Sequence, residues 1–140
     1  GDVVWSTVRP NRRSHALVLD DNSSLIGSTG LAQMRATKVH WSYLYEATRR
    51  PCFGEYLEAE TSGSAYPAIA PQRVGFAPIE LMAEGDRRAF EELAAPLRLR
   101  AHSAVVESRV LSDLRDTLLP ELMSGRLRVK DAEKSVEEVV

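Results

Sequence analysis

A single cysteine, Cys52, leaves no possibility of an internal disulfide, which suits a reducing cytoplasm. The three histidines, His15, His40 and His102, include none at a metal-ligand spacing with Cys52, so the expectation is no bound metal and no cofactor. No run is apolar enough to span a bilayer, and the opening residues carry no signal-peptide pattern. A cytoplasmic protein without a membrane partner is therefore expected. An excess of either charge is lacking too: 18 Lys and Arg against 20 Asp and Glu give a net charge of -2 at pH 7. Residues 1–77 hold eight basic against seven acidic side chains and the remainder ten against thirteen, so the parts carry +1 and -3. Such a chain attracts nucleic-acid phosphates only weakly by itself.

Catalytic motifs are missing as well. No Gly-rich Walker loop for ATP is present, nor the Asn-Pro-Pro-aromatic tetrad or Gly-rich cofactor turn of an adenine methyltransferase. Ser14, His15 and Asp20 are too close together, in a loop, to argue a nucleophilic triad. Asp131, Glu133 and Lys134 imitate part of a nuclease motif but stand in a polar tail with no strand framework. No catalytic residue is assigned.

What is present is one domain with an appendage, on 140 residues that are 44% apolar. Between Asp86 and Gly125, Phe90, Leu93, Leu97, Ala101, Ala104, Leu111, Leu114, Leu118 and Leu122 recur at helical spacing. Val105, Val110, Leu119 and Met123 widen that stripe. Asp86 reads as an N-cap and Gly125 as a stop. Pro96 is expected to open the longer helix at its first turn, after a short helix from Asp86 to Ala95. From Leu97 to Met123 the helix would run about 40 Å, longer than a small domain needs to cover its core. Either it folds back on its own sheet, or it is a strut or one half of a helix pair completed by another chain. An apolar interface of Leu97, Ala104, Leu111, Leu114, Leu118 and Leu122 is the expectation on the second reading, with a homodimer as its simplest form.

Ahead of the helix the pattern predicts an α+β domain, a small mixed sheet with short helices. Strands are expected over Asp2–Val8 and Ala16–Leu19, a turn over Asp20–Ser24, and a turn and strand within Ser28–Ala36. A helix from His40 to Ala47 places Trp41, Leu44 and Tyr45 on one face and continues through Phe53–Leu57 beyond Pro51. The aromatic cluster Trp41, Tyr43, Tyr45 and Phe53 reads as core rather than as a base-stacking platform. Val74–Ile79 reads as a closing strand. The organisation expected is a domain over 1–85, a spacer helix over 86–125 and a polar tail over 126–140.

Two connections are chemically distinctive. Arg9-Pro10-Asn11-Arg12-Arg13-Ser14-His15 is either a solvated hairpin loop or a set of Arg forks for phosphate or guanine edges. In the segment from Ala59 to Ile69, small residues around Gly63 let the backbone approach a surface closely, and Ser62, Ser64 and Tyr66 supply short donors.

The stretch Leu114-Arg115-Asp116-Thr117-Leu118-Leu119-Pro120-Glu121-Leu122-Met123-Ser124-Gly125, followed by Arg126-Leu127-Arg128-Val129, resembles the closing segment of DNA-specificity subunits of type I restriction–modification enzymes. In that family a helix ends in a Leu-Leu-Pro, Leu-Met-Ser-Gly pattern with a basic-apolar tail. Gly1-Asp2-Val3-Val4 through Arg9-Pro10 resembles the family's mid-domain segment, and Gly63-Ser64-Ala65-Tyr66-Pro67-Ala68-Ile69 and Val74-Gly75-Phe76-Ala77-Pro78-Ile79 resemble later ones in the family's order. Ile79-Glu80-Leu81-Met82-Ala83-Glu84 stands where the family usually carries a Pro-rich stretch and a Gln. The resemblance implies part of one target recognition domain and one spacer helix, where a full subunit has two of each.

It further implies a non-catalytic component that reads double-stranded DNA, weakly when alone, through Arg9, Arg12, Arg13, Ser62, Gly63, Ser64 and Tyr66. Methyltransferase and restriction subunits of the same system are its implied partners, docking through the helix. The alternative is a truncated specificity polypeptide that self-associates without reading DNA.

Overall fold

A computed structural model describes residues 1–20, 25–63 and 66–129. The fold is α+β: three strands, β1 (Asp2–Ser6), β2 (His15–Val18) and β3 (Leu31–Met34), then helices α1 (Trp41–Thr48), α2 (Pro51–Ala59), α3 (Pro71–Val74) and α4 (Glu84–Met123). The strands are shorter than their β-rich runs suggest, and both pairings are antiparallel, in the order β2-β1-β3, rather than mixed. A short hairpin connection makes β1 and β2 antiparallel neighbours, and the chain then crosses from β2 to the other side of β1, where β3 also pairs antiparallel. The turn expected over Asp20–Ser24 lies mostly outside the described residues.

Strand β1 is central, and its alternation shows why. Val3 and Trp5 are buried on one face, while Val4 between them is only half-buried. Against Val3 and Trp5 pack Ala32 from β3, Phe53 and Leu57 from α2, and Ile69 and Val74 from the later segment. Fully burying each large side chain contributes about 1.5–3 kcal/mol, so Trp5, Phe53 and Leu57 are the principal stabilisers.

His40 is the N-cap of α1 rather than its first residue, with its Nδ1 accepting from the Ser42 amide at 3.4 Å. The buried residues of α1 are Ser42, Tyr43, Ala47 and Thr48, while Trp41, Leu44 and Tyr45 are half-buried, with Leu44 and Tyr45 packed against the core. As core rather than platform the aromatic cluster divides: Tyr43 and Phe53 are buried, Trp41 and Tyr45 half-buried. Pro51 opens α2 at its first turn, where a missing N–H costs nothing. The strand expected over Val74–Ile79 is not formed. Pro71 starts α3 there, and the chain from Gly75 to Ala83 is irregular.

Helix α4 also differs from expectation. It is one helix of 40 residues, beginning at Glu84, with Asp86 in its first turn instead of at the cap. Both acids there favour the positive end of the helix dipole. Pro96 lies inside it, leaving the Glu92 carbonyl without its usual N–H partner. An interior proline costs about 3 kcal/mol. Contacts on either side offset that cost by anchoring the helix to α1. Phe90 meets Tyr43 edge-on at 6.0 Å, Glu91 accepts from the His40 amide at 3.0 Å, and Arg98 donates to Glu46 at 2.5 Å. Arg98 and Arg49 also lie over the Tyr45 ring, at 5.1 and 5.6 Å from its centre. Gly125, at φ 73°, ends the helix as expected, its amide bonded to the Leu122 carbonyl.

The chain forms two compact units dividing after Leu99. Along α4 no side chain is fully buried. Of the expected interface, Leu97 is 67% and Leu111 48% exposed, Ala104 is exposed, and Leu114, Leu118 and Leu122 are half-buried. The polar tail beyond Val129, with Asp131, Glu133 and Lys134, lies outside the described residues. No helix is long and apolar enough to cross a membrane, among the described residues.

Candidate nucleic-acid interface

The connection between β1 and β2 is a built turn. Pro10–Arg12 forms one 3-10 turn, flanked by Arg9 at φ 50°, ψ 57° and Arg13 at φ 51°, ψ 34°. These are the only non-glycine residues at positive φ among those described. For a side-chain-bearing residue the left-handed region costs roughly 1–2 kcal/mol, so the surroundings must impose it. They do so on every side. Pro10 is buried, the Arg12 amide donates to the Arg9 carbonyl at 3.0 Å, and the Arg13 amide donates to the Pro10 carbonyl at 2.8 Å. The Ser6 amide donates to the Ser14 carbonyl at 2.9 Å, closing the base of the loop.

The second loop is tied to the first through the backbone. Ser62 and Ala68 exchange hydrogen bonds at 3.0 and 3.1 Å, and Gly63 beside Ser62 stands at φ 92°. Ala68 also bridges Val8, the Arg9 amide donates to the Pro67 carbonyl at 2.8 Å, and the Ile69 amide donates to the Thr7 carbonyl at 2.9 Å. The chain around Ala68 thus continues the sheet beyond β1 for a few residues. The pairing brings the Arg9 guanidinium over the Tyr66 ring, 4.5 Å from its centre. Tyr66 remains 64% exposed. Arg73 is bonded to Glu60, just ahead of Ser62.

The loop carrying Arg9, Arg12 and Arg13 and the loop carrying Ser62, Gly63 and Tyr66 are thus joined through the backbone, with Arg9 in contact with Tyr66, although 49 positions separate Arg13 from Ser62 in sequence. Ser64 lies outside the described residues. The three arginines differ in their surroundings. Arg13 reaches back over α2, its Nε 3.7 Å from the Glu58 carboxylate. It crosses α2 at Gly54, where a Cβ would come within 3.0 Å of that Nε. Arg9 is engaged with Tyr66. Arg12 is exposed, with no side-chain partner among the described residues.

Sequence reasoning missed Gly54, Glu58, Pro67 and Ala68. Gly54 alone left a signal, as a glycine within the helical run Phe53–Leu57, where it weakens a helix unless something needs the space. His15 has a structural role: its ring stacks on Trp5 at 4.7 Å, and Nδ1 lies 2.7 Å from the Arg13 carbonyl. It thereby buttresses the same turn from beneath. No group of three His, Cys, Asp or Glu side chains suited to a metal exists among the described residues.

Elsewhere, Asp2 takes both Arg35 (2.6 Å to each oxygen) and Gln33 (2.5 Å), and chiefly the Arg35 hydrogen bonds lower its pKa to about 2. A groove of about 300 Å3 beside α1 is walled by Tyr43, Ala47, Ile79, Met82 and Phe90. The Tyr43 hydroxyl organises one wall, donating to the Glu80 carbonyl at 2.8 Å and accepting from the Met82 amide at 3.0 Å.

Compared with protein-family models, with curated proteins and with solved structures, the chain matches none.

Proposed function

We propose that the chain is a non-catalytic DNA target-recognition component of a type I restriction–modification system, with methylation and cleavage performed by other subunits. The observation that carries the reading is the joining of the two distinctive loops into one surface. That surface offers a free guanidinium on Arg12 and an exposed aromatic hydroxyl on Tyr66, and hydroxyl and glycine backbone at Ser62 and Gly63. Arg forks and short donors on a rigid turn suit base edges and phosphates. Helix α4, acidic and without a fully buried side chain, is on this reading the docking element for methyltransferase and restriction subunits.

The near-neutral charge sets the affinity. Tight binding requires many phosphate contacts, which a +1 domain half does not supply, so the isolated chain is expected to bind duplex on the order of 10⁻⁴–10⁻⁶ M at physiological salt. Titration of the purified chain against a long mixed-sequence duplex at two salt concentrations tests this, with methylation, nuclease and ATPase assays alongside. Nanomolar, sequence-selective binding by the chain alone would refute the partner-dependent account. Turnover in any assay would refute the non-catalytic one.

The exposed leucines of α4 favour a second reading, a truncated specificity polypeptide that self-associates through the helix without reading DNA. A homodimer with no measurable duplex binding even at low salt would decide for it.

A further inference from the structure

The three arginines of the β1–β2 turn differ in role. We propose that Arg12 is the one that touches nucleic acid, and that Arg9 and Arg13 are positioning residues that hold the turn in the shape presenting it. The inference rests on the recognition reading above and assigns work within that surface. Arg9 and Arg13 have their guanidinium groups engaged, one over Tyr66 and the other beside Glu58 across Gly54. Their backbones hold the left-handed conformation on either side of Arg12. Pro10 fixes one more dihedral and is buried. Arg12 is what this arrangement leaves over, an exposed fork on a rigid stem.

A planar, permanently charged fork that is already oriented loses little freedom when it pairs bidentately with a phosphate or a guanine edge. An arginine on a loose loop would lose more. That accounts for two residues being held where glycine is the easier choice.

The test is the salt dependence of binding to a fluorescent mixed-sequence duplex, measured on the full chain. Removing one phosphate contact lowers the slope of log K against log salt by about 0.9. Arg12→Gln should lower it by that amount and weaken binding roughly tenfold at low salt. Arg12→Lys should keep the slope but lose affinity, because an ammonium cannot form the fork. Arg13→Gly, free to adopt positive φ, should keep the slope and most of the affinity. Arg13→Val, β-branched and excluded from that region, should reproduce the Arg12→Gln loss with Arg12 still present. Far-UV circular dichroism and melting temperature separate this from unfolding, and the Arg12 side chain, exposed and without a partner among the described residues, is not needed for folding.

If wild type binds and Arg12→Gln changes neither slope nor affinity, the assignment of Arg12 fails while the recognition reading stands. If Arg13→Gly lowers the slope as much as Arg12→Gln, Arg13 is itself a contact and the division of roles is wrong. If wild type shows no binding at low salt, both fall.

Discussion

Replacing Gly54 probes the seat of Arg13 directly. Within a helix, Gly→Ala gains about 1 kcal/mol from backbone entropy when the new methyl group meets nothing. Here the Cβ would lie 3.0 Å from Arg13 Nε and 3.4 Å from Cζ, closer than the 3.5–4.0 Å of ordinary contact. Arg13 must give by a few tenths of an ångström. Its side chain is 46% exposed and its link to Glu58 is long, so the movement should cost about half of the gain. The expected net effect of Gly54→Ala is a stabilisation of about 0.5 kcal/mol, rising to about 1 kcal/mol in an Arg13→Ala background.

Gly54→Leu enlarges the contrast. It should destabilise by about 1–3 kcal/mol with Arg13 present and by much less without it. Urea unfolding followed by tryptophan fluorescence is a suitable assay, since Trp5 lies in the same core as Phe53, the neighbour of Gly54. Equal effects of Gly54→Leu in both backgrounds would show that Arg13 does not rest on α2, and the account of a braced turn would lose its footing.

Tyr43→Phe removes a hydroxyl bonded at both the Glu80 carbonyl and the Met82 amide, and a loss of about 1–2 kcal/mol by thermal melting is expected. No change would mean that the segment beside the groove does not depend on that bridge. Asp2, with a folded pKa of about 2 against an ordinary 3.8, contributes stability that is present above pH 4 and lost as pH falls through 2. Asp2→Asn should cost about 1 kcal/mol or less at neutral pH, discounted because Arg35 is solvent-exposed, with the difference from wild type closing toward pH 2. A difference independent of pH would deny the pair its role. For the helix, Leu114→Asp with Leu118→Asp should convert a dimer into monomer or aggregate, and a wild-type chain sedimenting as a monomer at micromolar concentration would refute pairing through α4.

The parts legible in the sequence are those governed by local pattern. The β-rich run Val3-Val4-Trp5 marked β1, and the helical spacing from Phe90 to Leu122 marked α4, with Gly125 closing it. Both site loops stood out by composition. Errors arose where tertiary contacts overruled local preference. Pro96 looked like a helix opener because nothing in the sequence shows Phe90, Glu91 and Arg98 all anchored to α1. The run from Val74 to Ile79 looked like a strand, but it lacks alternation and follows the helix that Pro71 initiates. Which arginine stays free was illegible, because it depends on Gly54, Glu58 and Tyr66, far from the turn in sequence.

Pro96 has a consequence for how α4 comes apart. The Glu92 carbonyl and the absent Pro96 amide leave a gap in an otherwise continuous ladder, and the chain's two compact units divide just beyond it, after Leu99. The helix is therefore expected to open as two segments. Amide protons before the gap, clamped to α1, should exchange with solvent only when the sheet domain opens. Those after Arg100 should exchange far sooner, turn by turn, so deuterium uptake along α4 would change abruptly near the proline.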